Sequence, residues 1–179
     1  SSDLTFNWQW PTGINGTSID TYQNRVFIAS GAKRLMSGAS NAANFSANND
    51  GVIATSYDST LRKKYTRVVA TSGYVYLFGD SSIWNIASVT SSTNSSTNVT
   101  TATYQYSNTD PQTGTAFVNS VQVLGRLICF ANTNGVYALA GNTAAKISDP
   151  LDGIWATLDT SVQPTCAVAT LYGIRVLVV

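Results

Sequence analysis

The chain has 179 residues, only 11% of them are charged, and its formal net charge is +1. A chain of this length can bury one sizeable core, and so small a net charge gives no global attraction to nucleic acid or to a membrane surface. The sequence contains no histidine, and all nine acidic residues are aspartates. Because histidine is the commonest general base and metal ligand, we expect neither an enzyme nor a bound cofactor.

The composition is typical of an all-β protein with polar loops. The chain contains 21 serines, 23 threonines and 15 asparagines, separated by runs of β-branched and aromatic residues. Aspartate favours turns and caps, whereas the missing glutamate favours helix interiors. No apolar run approaches the ~20 residues that a membrane-spanning helix needs, so we expect no membrane association.

The first candidate site in chain order is a pair of tryptophans, Trp8 and Trp10. A strand places residues i and i+2 on the same face, so both rings can form a stacking platform for a ligand. Aromatic residues of β proteins more often belong to cores or interfaces. Ligand binding therefore remains the alternative function, that of a carbohydrate- or receptor-binding β-propeller module.

The sequence contains one basic cluster, formed by Arg62, Lys63, Lys64 and Arg67. Strand alternation would place Arg62, Lys64 and Thr66 on one face and Lys63, Tyr65 and Arg67 on the other. Two interpretations stay open. The cluster is either a solvated strand edge that discourages aggregation, or a contact for an acidic neighbour or for passing DNA.

The stretch LFGDSSIW, residues 77–84, resembles the start of the nucleophile block of GDSL lipases and esterases, with Ser81 as the nucleophile. A serine hydroxyl needs a base within hydrogen-bond reach, and that family uses a histidine. This sequence has none, and its lysines lie in polar, turn-like stretches. We therefore predict that Ser81 lies in a hairpin turn and has no catalytic role.

Four stretches repeat one pattern and begin at Asn24, Gly73, Gly125 and Gly173, with separations of 49, 52 and 48 residues. Each runs through about five mostly apolar residues, and three then turn through small polar residues into a second apolar run. The predicted hairpins lie near 24–38, 73–88, 125–141 and 171–179. Apolarity on both faces favours strands in sheets covered above and below. The polar stretch 88–103 is predicted to be a surface loop or a solvated strand.

A period near 50 residues is in the range of β-propeller blades, so the predicted fold is a single all-β, propeller-like domain. The alternative is a β-sandwich, whose strands also recur with turn signals. At ~50 residues per blade, 179 residues make about 3.6 blades. A propeller needs at least four. The pattern thus predicts an incomplete propeller, either a fragment of a longer chain or a domain completed by partner segments.

Two further residue pairs favour structural roles. Cys129 and Cys166 lie in apolar contexts, so two reduced, buried thiols are favoured over a disulfide. Asp149 and Asp152 form the closest carboxylate pair, in SDPLDG. A turn explains this pair at least as well as metal or glycosidase chemistry does.

Several short motifs follow one another between residues 8 and 158. They are Trp10-Pro11, Gln23-Asn24-Arg25-Val26-Phe27, Arg34-Leu35-Met36-Ser37, Asn44-Phe45, the 77–84 stretch, Asn134-Gly135-Val136-Tyr137, and Ile147-Ser148-Asp149-Pro150-Leu151-Asp152. In order and spacing they resemble the β-propeller tail proteins of short-tailed bacteriophages, the tail hub, nozzle and packaged-DNA stabilisation class.

The resemblance implies a structural virion protein that contributes to the DNA conduit and to tail assembly, with no catalytic residues to transfer. It implies other tail and connector proteins as partners, a homo-oligomeric ring, and non-specific contact with passing DNA. The implied location is the virion, assembled in the host cytoplasm. Members of that class are usually several times longer, which favours the interpretation of this chain as a piece.

Overall fold

The computed structural model describes residues 16–39, 41–55, 64–110 and 112–179. Within these ranges the protein is built from antiparallel strands, which confirms the all-β prediction. Helix is confined there to two 3-10 turns and one short α-helix, which are Val118–Ser120, Asp149–Leu151 and α1 (Asp152–Trp155). Trp8, Trp10, Arg62 and Lys63 lie outside the described residues.

The strands of the described residues form four sheets, numbered here in chain order. Sheet 1 contains β1 (Ser18–Tyr22), β2 (Arg25–Ser30), β3 (Lys33–Met36) and β4 (Val52–Thr55). Sheet 2 contains β5 (Tyr65–Thr71), β6 (Tyr74–Gly79), β7 (Ile83–Asn94) and β8 (Val99–Asp110). Sheet 3 contains β9 (Gln122–Leu124), β10 (Leu127–Asn132), β11 (Gly135–Ala140) and β12 (Thr143–Lys146). Sheet 4 contains β13 (Ala167–Leu171) and β14 (Ile174–Val178).

Sheets 1 to 3 share one topology, in which consecutive strands are neighbours and every pair is antiparallel. The predicted hairpins 24–38, 73–88 and 125–141 are confirmed as β2–β3, β6–β7 and β10–β11, the two inner strands of each sheet. The segment 171–179 holds a turn and β14, whose antiparallel partner β13 lies upstream. Four separate sheets differ from the two facing sheets of a β-sandwich, and none of them closes on itself.

The residue that begins each sequence repeat is a turn residue with positive φ. The φ angles are 58° at Asn24, 82° at Gly73, 65° at Gly125 and 80° at Gly173. Each lies in a two-residue connection between the first and second strands of its sheet. Tight hairpins need backbone in this region, which asparagine and glycine adopt at low cost. The repeat in the sequence therefore marks the first hairpin turn of each sheet.

The sheets pack face to face in chain order. Val75 and Leu77 of β6 pack in one apolar cluster together with Phe27 of sheet 1. Tyr76 and Phe78, on the opposite face of β6, pack in a second cluster with residues of sheet 3. Sheet 2 is thus covered on both faces, which explains why its inner strand has no polar face. A third cluster joins sheet 3 to sheet 4 and contains Ala131, Val136, Trp155 and Cys166.

Side chains of β1 bind the backbone of β5 with the spacing of the repeat. The Ser18 hydroxyl donates to the Val68 carbonyl at 3.2 Å and accepts from the Val68 amide at 3.0 Å. The Asp20 carboxylate accepts a hydrogen bond of 2.7 Å from the Ala70 amide. Both pairs are separated by 50 residues in the chain. The first strands of sheets 1 and 2 therefore lie side by side.

Three threonines extend this pattern from sheet to sheet. Thr17 Oγ1 lies 3.5 Å from the Thr66 carbonyl, and Thr66 Oγ1 lies 2.7 Å from the Thr115 carbonyl. Each pair is 49 residues apart. Thr66 and Thr115 are buried, so their hydroxyls supply the partners that buried carbonyls require. These hydrogen bonds connect equivalent segments of successive repeats.

Candidate functional site

Ser81 lies in the three-residue connection between β6 and β7, a hairpin turn as predicted, and it is exposed. Within this turn the Gly79 amide donates to the Ser82 carbonyl at 2.9 Å, and the Thr115 amide donates to the Gly79 carbonyl at 2.8 Å. The backbone of Gly114 packs directly against this turn. The Gly-Asp-Ser sequence is thus part of a turn against which the segment around Gly114 and Thr115 packs. The chain contains no histidine that could activate Ser81.

Replacing Ser81 by alanine should leave any biological activity intact. The expected loss in the free energy of unfolding is at most about 1 kcal/mol, the net value of one hydrogen bond near a surface. Urea unfolding of both proteins measures this difference. Covalent labelling of wild-type Ser81 by a fluorophosphonate probe, absent from Ser81→Ala, would show that the serine is a nucleophile after all.

The basic cluster does not follow simple strand alternation. Lys64 is exposed and lies immediately before β5, whereas Tyr65 and Thr66 are both buried. A β-bulge between Tyr65 and Arg67 pairs these two residues with Gly79 and Phe78, which are adjacent in β6, so the predicted common face of Tyr65 and Arg67 is wrong. Arg67 is half-buried. Of the described members of the cluster, Lys64 is the one with an exposed charge.

Trp84 stacks within the protein and is not a free ligand platform. Its ring lies parallel to that of Tyr106, with centroids 4.3 Å apart and planes at 15°. The guanidinium of Arg34 lies 4.1 Å from the centre of the Tyr106 ring and donates a 2.5 Å hydrogen bond to the Tyr104 hydroxyl. Burial, followed by interaction with Tyr65, raises the pKa of Tyr106. This stack joins β3 of sheet 1 to β7 and β8 of sheet 2.

The two aspartates of SDPLDG face a lysine. Lys146 Nζ lies 2.5 Å from Asp152 Oδ1 and 3.7 Å from Asp149 Oδ1. The hydrogen bond with Asp152 raises the pKa of Lys146. The carboxylates therefore form a surface ion-pair group beside a 3-10 turn, in agreement with a structural role.

The cysteines are free and buried, as their apolar contexts predict. Burial raises the pKa of the Cys166 thiol to about 11, with a further contribution from the nearby Cys129. Burial also raises the pKa of Cys129. Neither thiol has the lowered pKa of a reactive cysteine.

The main polar centre of the described residues was not foreseen from the sequence. It joins two buried residues, Arg25 of β2 and Asp50 before β4, to the exposed Ser91 of β7, and is called here the buried triad after its two charged members. Arg25 Nη2 lies 2.5 Å from Asp50 Oδ2 and 2.6 Å from Ser91 Oγ, and the Ser91 hydroxyl lies 2.9 Å from Asp50 Oδ2. The side chains of Arg25 and Asp50 are 3% and 10% exposed.

The buried triad fastens a long hairpin arm, formed by the outer parts of β7 and β8, to sheet 1. Both strands are 12 residues long, and residues 90–98 are exposed, which confirms a solvated strand within the stretch 88–103. The Asp50 amide donates to the Thr100 carbonyl at 2.8 Å, and Arg25 donates to the Ser37 carbonyl at 3.0 Å. The Arg25 guanidinium thus donates hydrogen bonds both to Ser91 of the hairpin arm and to the Ser37 carbonyl, which follows β3 of sheet 1.

The charge state of Asp50 depends on this contact. Burial raises the pKa of its carboxyl, but hydrogen bonds from Ser91, Arg25 and the Ala39 amide, together with the Arg25 charge, outweigh burial. The pKa of Asp50 therefore lies below its ordinary value, and the carboxylate is ionised at neutral pH. The Arg25–Asp50 pair thus joins β2 to the segment that precedes β4.

Comparison with known proteins gives no family assignment. The chain matches no protein-family model, and a search of curated proteins finds no significant match. Among the described residues, no helix has the length and apolarity to cross a membrane. The same residues contain no group of three or more histidine, cysteine or acidic side chains placed to hold a metal ion.

Proposed function

We propose that the chain is a structural component of a bacteriophage tail, of the hub or nozzle type. One observation carries this proposal: three four-stranded sheets recur at about 50 residues and are joined by side-chain contacts of the same spacing. A succession of equal sheets is a rigid body whose properties are shape and contact surface. The resemblance of the motifs along residues 8–158 to phage tail proteins supplies the biological setting.

The use of the buried polar groups supports a structural role. The Arg25–Asp50–Ser91 contact, the Ser18 hydroxyl and the Thr66 hydroxyl each join one sheet to the next. A catalytic centre would instead direct such groups toward a cleft where a substrate can reach them. The protein's task in this proposal is to hold its sheets rigidly and to present their outer edges to neighbouring tail proteins.

The proposed arrangement is that of a β-propeller, in which sheets 1 to 4 are successive blades. Side-by-side first strands, such as β1 and β5, favour this arrangement because blades converge on their first strands around a central axis. In the tail, the protein would lie in a closed ring around the DNA conduit, together with other tail and connector proteins. Homo-oligomerisation is the simplest route to such a ring.

Quantitative mass spectrometry of purified virus particles tests the proposal. Particles of the virus that encodes the sequence are banded on a density gradient, and tryptic peptides of the chain are measured against the portal protein. We expect a fixed ratio to the portal in every particle fraction. Recovery of the chain in the soluble lysate alone would contradict the proposal. Glycan binding that is lost in Trp8→Ala/Trp10→Ala would instead support the ligand-binding alternative.

Reversal of the exposed charge at Lys64 should affect assembly and not DNA affinity. The charge of Lys64 contributes about one phosphate contact, and thus about −0.9 to the slope of log K against log salt, which by itself is too weak for measurable duplex binding at physiological salt. Complementation of a phage deletion with Lys64→Glu should lower the yield of tailed particles. Lys33→Glu, an exposed lysine of β3, is the control. Submicromolar duplex binding by the purified chain, lost in Lys64→Glu, would contradict this assignment.

A further inference from the structure

The hairpin arm has an unpaired strand edge. In the arm, residues 88–94 of β7 pair with residues 99–105 of β8, whereas β6 pairs with β7 as far as Ile86. Sheets 1 and 3 have no such extension, since their third and fourth strands are four to six residues long. Beyond Ile86, β7 therefore has a neighbouring strand on one side alone within the described residues.

The backbone groups on this edge belong to Ser91 and Thr93. The Thr100 amide donates to the Asn48 carbonyl at 3.3 Å, so Thr100 faces away from β7. Backbone groups of an antiparallel pair alternate in direction, so Thr93, which pairs with Thr100, faces away from β8. Ser91 and Val89 face the same way, and the Val89 amide accordingly donates to a side chain of the β1–β2 turn at 3.0 Å. Among the described residues, nothing binds the outward amides and carbonyls of Ser91 and Thr93.

The arm lacks the features that normally protect an open edge. Natural proteins blunt such edges with charged side chains, proline or bulges, which prevent pairing with another chain. From residue 81 to residue 109 the chain contains no charged residue and no proline. The register shifts of β7 against β8 fall between residues 83 and 88, at the base of the arm. Residues 90–98 are exposed, so a second strand can reach the edge.

A polar groove of about 570 Å³ adjoins the base of the arm. Its lining includes the amide side chains of Gln23, Asn24 and Asn41, together with Arg25. Gln23 and Arg25 both bind β7 of the arm. Because the arginine charge is already paired within the protein, the groove presents amide groups and suits an uncharged polar segment.

We propose that the open edge of β7 binds the same edge of a second copy of the chain, so that the two arms form one four-stranded antiparallel sheet. The inference depends on the arm alone and stands apart from the proposed tail function. A two-stranded ribbon is marginally stable by itself and gains stability when further strands extend it. Two uncharged edges meet without electrostatic repulsion. A single strand from another protein would leave a new open edge, whereas the pairing of two identical edges is closed by a two-fold axis.

One register uses every outward group of both edges. Ser91 of each copy lies opposite Thr93 of the other, and each such pair exchanges two backbone hydrogen bonds. The two-fold axis then passes beside Ser92. The antiparallel direction brings the turn of each arm, residues 95–98, next to Val89 of the other copy, and so to the groove lined by Gln23. The turn sequence, Ser-Ser-Thr-Asn, supplies hydroxyl and amide groups that can bond with the amides of the groove.

Disulfide cross-linking tests this register. In the proposed sheet the two Ser92 residues lie directly opposite each other in a non-hydrogen-bonded pair, with Cα atoms about 4.5 Å apart, which suits a disulfide. Ser92→Cys should therefore form a covalent dimer in a glutathione redox buffer, seen on a non-reducing gel. The control is Thr101→Cys, an exposed position of β8 that pairs with Ser92 inside the arm. It should form at most about a tenth as much dimer, because β8 is the outer strand of the joined sheet.

Substitutions at Thr93 test the backbone contact. Thr93→Pro removes an outward amide, which an edge strand tolerates, and Thr93→Val keeps it. Both variants lose the 2.9 Å contact between the Thr93 and Thr100 hydroxyls, so they are matched. In analytical ultracentrifugation we expect a concentration-dependent monomer–dimer equilibrium for the wild type and for Thr93→Val. The dissociation constant of Thr93→Pro should be higher by about tenfold or more, since each dimer loses two backbone hydrogen bonds.

Thr93→Lys provides a second variant that keeps the backbone amide. Its ammonium groups would lie near each other across the two-fold axis, so the dimer should weaken. Added salt should restore part of the affinity, because it screens this repulsion. Dimers of equal affinity in the wild type, Thr93→Pro and Thr93→Lys would place the contact elsewhere and overturn the proposal.

Three other results would also overturn it. The first is a wild-type chain that stays monomeric up to about 1 mM. The second is equal cross-linking of Ser92→Cys and Thr101→Cys. The third is a monomer whose Ser91 and Thr93 amides are protected from hydrogen exchange, which would identify a different segment as the occupant of the edge.

Discussion

Substitution of Arg25 by methionine should destabilise the protein by about 3–5 kcal/mol, because it leaves the Asp50 carboxylate buried without its partner. Arg25 is 3% exposed and binds Asp50, Ser91 and the Ser37 carbonyl. Methionine fills much of the arginine volume, so the loss reports the charge and the hydrogen bonds more than a cavity. The measurement is the free energy of unfolding from urea titration at pH 7.

Two control variants distinguish the stability lost with the ion pair from the stability lost by replacing any arginine with methionine. Arg126 follows Gly125 in the third repeat as Arg25 follows Asn24 in the first, but it is exposed. Arg126→Met should therefore change stability by no more than about 0.5 kcal/mol. The double variant Arg25→Met/Asp50→Asn removes the unpaired charge and should recover at least half of the loss. A loss below about 1 kcal/mol for Arg25→Met alone would contradict a buried, stabilising contact.

The same carboxylate makes stability depend on acidity. Since the pKa of Asp50 is lower in the folded protein than in the unfolded chain, its contribution is present above the unfolded value of about 3.9 and is lost as pH falls through the folded value. In Arg25→Met the pKa of Asp50 should rise, because burial then acts without the arginine charge. The stability difference between the two proteins should therefore shrink as pH is lowered from 7 to 3.

Substitution of Gly114 by alanine should cost about 2–3 kcal/mol or more, because the added methyl group meets backbone and not flexible side chains. A Cβ at position 114 would contact the Gly79 carbonyl oxygen and would lie 2.5 Å from the Ser82 amide nitrogen and 2.8 Å from the Ser81 amide nitrogen. The turn between β6 and β7 or the segment before Thr115 must then move. The Thr115 amide bond to the Gly79 carbonyl is the first contact at risk.

Gly153 is the matched control for the glycine substitution. It lies in α1, is exposed, and has no heavy atom within 4 Å of the position of an added Cβ. Gly153→Ala should leave stability unchanged or raise it by up to about 1 kcal/mol, the difference in helix propensity. Thermal and urea unfolding of both variants measure these effects. Equal stability of Gly114→Ala and the wild type would show that the two segments are not in contact.

The sheets could be predicted from the sequence because their signals are local. The residues at the start of each repeat, such as Asn24 and Gly73, occupy turn positions that require positive φ. The apolar run of β6 faces two clusters, and apolarity on both faces already indicated this. Ser81 could be placed in a turn since its neighbours are turn-forming residues and no histidine exists to activate it.

The contacts between sheets could not be predicted, since they join residues far apart in the chain. Arg25 and Ser91 are 66 residues apart, and no periodicity of the sequence relates the arginine at the start of β2 to a serine in a polar strand. The bulge between Tyr65 and Arg67 likewise overturned the alternation assumed for these two residues. A bulge inserts one residue without a composition signal of its own, so strand patterns cannot locate it.

We propose that the chain is a tail component whose sheets are arranged as successive propeller blades. A cryo-electron microscopy reconstruction of the tail of the encoding virus tests it most directly. We predict density that accepts residues 16–179 with sheets 1 to 4 around one axis and β1, β5, β9 and β13 innermost. A tail reconstruction complete at side-chain resolution with no density that fits the chain, or with the sheets stacked linearly away from any axis, would contradict the claim.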